Sequence, residues 1–401
     1  MITSDIGFKV VNYVGTYHLV DDNGVIRIVS KEFHPSRKEE QALNSKILFS
    51  DNFKTNEYIT VELANINIKK DQEILDFCNK YGLPYSSVKV QEVNPGYNIW
   101  GLPVSEQEYA QFDPYYRQDT MSHFEFCRHV STAKRMMQVK HEIESSEKNP
   151  VTMLKYLFPL LLYDRIGLYD FNEGDPERHS KTMEFQYYYL NVINRRKMND
   201  HNPMLDLFEF CSEIQGLAKG TNKVPLGDDD ITLLKNPFVN KLYRFIIEVM
   251  KLNTKFLNSV TRDEFFNITL PDNVEISTEL KNLMYDIAPT VLSDSINELL
   301  CLVHPKMEYS NASFHVDWDF NFLFEGFSME LLLMLSSSNM LKKCQNPTCE
   351  KFFTPNNGHM DKMYCSHRCG SLVAKRNQRI KDKLDPNRPR LEPGFKSRKK
   401  K

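Results

Sequence analysis

Four cysteines, Cys344, Cys349, Cys365 and Cys369, constrain this 401-residue chain more tightly than any other feature. They form a Cys-x4-Cys pair, a fifteen-residue interval, then a Cys-x3-Cys pair. Two short thiol pairs at such a separation read as a four-thiolate zinc site. Zinc imposes no ligand-field geometry and accepts a tetrahedron, so each pair can supply two corners from one turn. The flanking residues agree: Pro347 lies in the first turn, Phe352 and Phe353 offer apolar cover, Tyr364 precedes the second pair and Gly370 follows it. An ion with four protein ligands has no open position for water, so one structural Zn²⁺ is expected, and its role is folding. About forty residues bury too little apolar surface to be stable alone, and the metal supplies the difference. The competing readings are two disulfides, four unrelated thiols, or His359 or His367 in place of a cysteine. Cys78, Cys127, Cys211 and Cys301 stand singly in apolar segments, as small buried hydrophobes do.

Directly after Cys369, residues 371–383 contain helix formers and no Gly or Pro, so a helix is expected there. Leu372, Val373 and Ile380 can pack on one side of it. Lys375, Arg376, Arg379, Lys381 and Lys383 are left for solvent or a partner. Charge along the chain points the same way. Residues 342–401 hold seventeen Lys/Arg against five Asp/Glu, leaving 34 of the 51 basic and 48 of the 53 acidic side chains to the rest. A basic end on an acidic body is the asymmetry of a chain that meets a polyanion. Nucleic acid is therefore the expected partner of the basic helix and tail. A protein partner, or the acidic body of the same chain, is the alternative.

These residues resemble the CGNR-type zinc finger of bacterial proteins. The resemblance rests on Cys344, Cys349, Phe352, Phe353, Tyr364, Cys365-Ser366, Cys369-Gly370 and Ala374-Lys375-Arg376. It departs from the pattern where the signature Asn-Arg is replaced by Ser371-Leu372. The segments 74–83 and 318–335 are also similar to regions of such proteins. The resemblance implies a treble-clef-like finger at the end of a larger sensor-like region. It also implies a role in DNA binding and transcription regulation.

The rest of the chain is expected to be mainly α, with a small α+β N-terminal region. We expect four parts: an α+β region over 1–105, a helical body over 106–341, the finger with its basic helix over 342–385, and a disordered basic tail over 386–401. In the first part, Tyr17–Val20 and Val25–Val29 flank Asp21-Asp22-Asn23-Gly24 and predict a hairpin. Residues 57–63 alternate as a strand would, and Asp71 and Gly82 bracket a short helix with Ile74, Leu75, Phe77 and Cys78 on its apolar face. In the body, Leu242, Phe245, Ile246 and Val249 mark one helical face. Further helices are expected over 119–147, 151–163, 183–195, 293–303 and 329–342. Residues 307–324 read as extended, because Phe314, Val316, Trp318 and Phe320 recur at period two.

The first five residues carry no secretory signal, and the strongest apolar run, Tyr156–Tyr163, is too short to span a bilayer. A cytoplasmic protein without a membrane partner is expected. No GxGxxG, Walker, HExxH or GxSxG motif occurs, so no enzyme is expected. The weaker alternative is a metal-dependent nuclease using His304, His315, Asp317 and Asp319. The acidic run 227–230 reads as a solvated loop. With 19 Tyr and 26 Phe, the body could also enclose a small ligand, although aromatic residues more often fill a core.

Overall fold

The computed structural model describes residues 8, 10–31, 45–49, 58–84, 120–162, 164, 180–182, 184–186, 236–252, 260–265, 267–271, 274–300, 303–310, 313–320, 323–336, 341–355 and 361–384. The chain divides into two compact units, Met1–Ser338 and Asn339–Lys401. Among the described residues it is mostly helical, with small antiparallel sheets.

The first unit begins with β1 (Val10–Tyr13), β2 (Tyr17–Asp22), β3 (Val25–Ser30) and β4 (Ser45–Leu48). The predicted hairpin forms, and its turn is only two residues long. Asn23 (φ 53°) and Gly24 (φ 86°) both take the left-handed conformation. That conformation matches a two-residue turn to the twist of the strands. The Asp21 carboxylate accepts from Gly24 N–H at 2.8 Å. β3 also pairs with β5 (Thr120–Ser122), while β1 pairs with β4.

Two short helices follow the strands, α1 (Ile59–Ala64) and α2 (Asp71–Tyr81). The expected strand over 57–63 is therefore overturned. Its alternation is real, but Glu330, far along the chain, accepts from the N–H groups of Ile59 (3.3 Å) and Thr60 (2.6 Å). Those are first-turn donors that no helical carbonyl can satisfy, so a distant carboxylate caps the helix. α2 buries Ile74, Phe77, Cys78 and Tyr81, and Gly82 ends it at φ 82°. Asn12 ties β1 to the end of α2 by donating to the carbonyls of Tyr81 (2.8 Å) and Leu83 (3.2 Å).

Among the described residues, the helical body comprises α3 (His123–Glu144), α4 (Pro150–Leu162), α5 (Pro237–Met250), α6 (Thr278–Leu299) and α7 (Leu323–Ser336). α3 and α4 pack together, and α6 contacts both and also meets α5 and α7. Three starts follow N-cap chemistry: Ser122 accepts from Glu125 N–H, Ser277 from Leu280 N–H, and Asn236 from Phe238 and Val239 N–H. The Ser277 cap starts α6 fifteen residues before the expected onset at 293, and Pro289 is accommodated inside the helix. α7 likewise starts earlier than 329, and residues 120–122 are a strand edge rather than helix. Leu242, Phe245, Ile246 and Val249 are fully buried, as the periodicity requires.

Inside the body, Arg135 and Asp164 form a bidentate ion pair at 2.5 and 2.6 Å. Asn267 and the Phe265 carbonyl accept from the same guanidinium, and Thr132 donates to Asp164. Short strands β6 (Thr261–Arg262) and β7 (Ile268–Thr269) frame Phe265 and Asn267. The extended stretch is the hairpin β8 (His304–Ser310) and β9 (Ser313–Asp319), in register from His304↔Asp319 to Ser310↔Ser313. The acidic run 227–230, the tail from 386, Cys211, Cys301 and most of the expected helix 183–195 lie outside the described residues. Among the described residues no helix is long and apolar enough to cross a membrane.

Candidate metal centre and basic helix

The second unit holds β10 (Lys342–Lys343), β11 (Phe352–Phe353) and α8 (His367–Leu384). β10 and β11 pair antiparallel, Lys342 with Phe353 and Lys343 with Phe352, and this clasp closes the first cysteine turn. Cys344 N–H donates to the Lys351 carbonyl at 2.9 Å, and Cys349 N–H to the Asn346 carbonyl at 2.8 Å. The second pair belongs to a helix start, with Cys365 just before α8 and Cys369 in its first turn. Gln345 N–H joins the halves by donating to the Met363 carbonyl at 3.0 Å.

The four Sγ atoms lie within 4.8 Å of one another and can hold a metal ion. Cys349 and Cys365 sulfurs are 3.7 Å apart, and those of Cys365 and Cys369 3.6 Å. These distances far exceed a disulfide bond of about 2.05 Å. They match the edge of a tetrahedron with metal–sulfur bonds of about 2.3 Å, which is about 3.8 Å. The arrangement therefore fits a tetrathiolate ion and not a pair of disulfides. Cys344 is buried, and the other three are partly exposed.

Residues around the sulfurs prepare them for a cation. Hydrogen bonds from the side chains of Asn346 and Ser366 pull the Cys369 thiol down to about 6, while burial and the neighbouring thiols push Cys365 up to about 12. Four thiols this close cannot all ionise unaided, and a dication held by them would supply the missing compensation. Cys365 N–H also points at the Cys344 sulfur, 3.5 Å away.

Asn346 and Ser366 were not legible as site residues, although the Asn346-Pro347 step signals a turn. Asn346 is buried, and its side-chain oxygen accepts from Thr348 N–H (3.3 Å) and hydroxyl (3.1 Å). Gly370 lies where a Cβ would come within 3.3 Å of the Tyr364 ring. His367 is exposed, its ring nitrogen 3.5 Å from the Ser371 hydroxyl and outside the metal-suited group, and His359 lies outside the described residues.

The predicted basic helix exists but begins earlier, at His367, so Arg368 is part of it. Lys375, Arg376, Arg379 and Lys381 are exposed, and Lys383 lies in the last turn. The apolar residues differ from expectation: Leu372 is 48% and Ile380 49% exposed, so they are not packed away as a core face would be. For the weaker nuclease alternative, the register pairs His304 with Asp319 and Glu308 with His315. Among the described residues, the four-cysteine group is the one cluster suited to a metal.

Comparison with protein-family models, with curated proteins and with solved structures gave no match in any of the three searches.

Proposed function

We propose that the second unit is a zinc-stabilised, treble-clef-like finger of the CGNR type that presents α8 to nucleic acid. In this reading the chain is a DNA-binding transcription regulator of the bacterial cytoplasm, and its larger first unit is a sensor or interaction region. One observation carries the reading: four cysteine sulfurs within 4.8 Å of one another sit at the root of an 18-residue helix with six Lys/Arg and one Asp. Zinc is the favoured ion because an all-thiolate tetrahedron suits it and offers no open coordination position. A metal that anchors a cationic helix orients charge without consuming binding energy to order it.

The test is fluorescence anisotropy with the zinc-loaded full chain and a labelled duplex of mixed sequence, across salt. Binding should weaken linearly on a log–log plot, with a slope of about −0.9 for each phosphate contacted. Absence of binding at about 50 mM salt, where such contacts are strongest, would overturn the proposal. A salt-insensitive complex with a protein instead would favour the alternative interaction module, for which the exposed Leu372 and Ile380 are the supporting observation.

A further inference from the structure

Because α8 begins at His367, the angular positions of its residues can be read along one continuous helix. At 3.6 residues per turn, Arg368, Lys375 and Arg379 lie within about 60° on one side of the line through Leu372. Arg376 and Lys383 lie within about 40° on its other side. Five of the six cations therefore share a sector roughly 100° wide, and the exposed Leu372 lies within it. The sixth, Lys381, lies about 180° away. From Arg368 to Lys383 the stripe runs roughly 22 Å at 1.5 Å per residue. Arg368, Lys375, Arg376 and Arg379 are all exposed. The flank of the sector near Asp382 is occupied differently, since Gln378 donates to that carboxylate at 2.9 Å.

Resting on the nucleic-acid reading above, we infer that this face docks in the major groove of B-form duplex DNA. The helix turns the Leu372 line to the base edges and sends the two rows of cations to the two phosphate rims. The shape of the face selects the partner. A helix about 10–12 Å across enters a B-form major groove about 12 Å wide, whereas the deep, narrow groove of duplex RNA excludes it. Single-stranded nucleic acid is bound by aromatic platforms, and residues 367–384 contain no Phe, Tyr or Trp. An apolar side chain between the rims has a natural contact in the thymine methyl group. Lys381 plays no part in this mode.

The zinc-loaded full chain is titrated against duplex DNA, duplex RNA and single-stranded DNA of one mixed sequence. Three variants are compared: Arg368→Ala/Arg379→Ala, Lys375→Ala/Arg379→Ala and Lys381→Ala. The second keeps the cysteine turn untouched, and zinc content is measured for all three. The expected result is at least tenfold preference for duplex DNA over both other probes. Each double variant should lose tenfold or more and have its salt slope reduced by about two contacts, with Lys381→Ala within twofold of the parent. Equal or tighter binding of duplex RNA, or a loss in Lys381→Ala as large as in the double variants, overturns the assignment of face and partner while leaving nucleic-acid binding standing. If none of the three probes binds, both proposals fall together.

Discussion

Arg135 and Asp164 meet through two charge-assisted hydrogen bonds of 2.5 and 2.6 Å with both side chains 1% exposed. Charges so far from water persist only when paired on every side, and here Thr132, Asn267 and the Phe265 carbonyl complete the set. Removing one partner strands the other. Asp164→Ala should therefore cost about 3–5 kcal/mol in urea unfolding, far more than an exposed pair such as Lys241–Asp286, worth at most about 1 kcal/mol. Equal costs at the two pairs would show that the Arg135 cluster is hydrated.

Glu330 is fully buried and caps α1 across 270 residues of sequence. Glu330→Gln keeps the size but replaces one acceptor oxygen by a donor that faces an N–H. We expect a loss of about 1–3 kcal/mol and faster amide exchange at Ile59 and Thr60. Unchanged exchange at those two amides would mean that the carboxylate does not hold the helix start.

Gly326 in α7 sits where a Cβ would lie 2.6 Å from Phe49 Cε2 and 2.7 Å from Val10 Cγ2. The Phe49 ring has little freedom, because it stacks on Phe8 at 4.9 Å and meets Phe327 edge-on at 6.1 Å. One added methyl group must displace this cluster, so Gly326→Ala should destabilise by about 1–3 kcal/mol despite the better helix propensity of Ala. A rise in melting temperature would refute the close packing.

Burial, aided by nearby Arg128, holds the His129 imidazole down to about 3, against an ordinary value of 6.5. The residue is half-buried, and its ring lies 4.5 Å from that of Phe324. The unfolded chain takes up a proton near pH 6.5 that the folded chain refuses until about pH 3. Stability from this group is therefore full above pH 6.5 and lost progressively as pH falls toward 3. His129→Gln should unfold with a shallower pH dependence across that window, measured as urea midpoints at several pH values. Parallel curves would show that His129 titrates freely.

For the metal centre, purified protein should contain one zinc per chain, and Cys365→Ser/Cys369→Ser should lose it. Chelation should raise amide exchange across α8 while α3 and α6 stay protected, since the units are separately compact. Full zinc retention in the double variant would sink the tetrathiolate assignment.

Local chemistry was readable from the chain. The spacing of Cys344, Cys349, Cys365 and Cys369, the Asn23-Gly24 turn and the Leu242–Val249 face each depend on residues a few positions apart. Their geometry follows from backbone conformation or ligand bite, so no distant partner is needed to specify it. The expected strand over 57–63 failed at long range. Residues 59–64 alternate like a strand, yet they are helical because Glu330 arrives from α7 to satisfy their N–H groups.

The sequence by itself determined that a metal-sized thiol cluster precedes a cationic helix, because ligand spacing and charge are written residue by residue. Only the tertiary structure decided that Arg368 belongs to that helix and that Leu372 is left exposed. Those outcomes depend on where the cysteine turn starts the helix and on what covers each face. Both are set by three-dimensional closure rather than by neighbours along the chain.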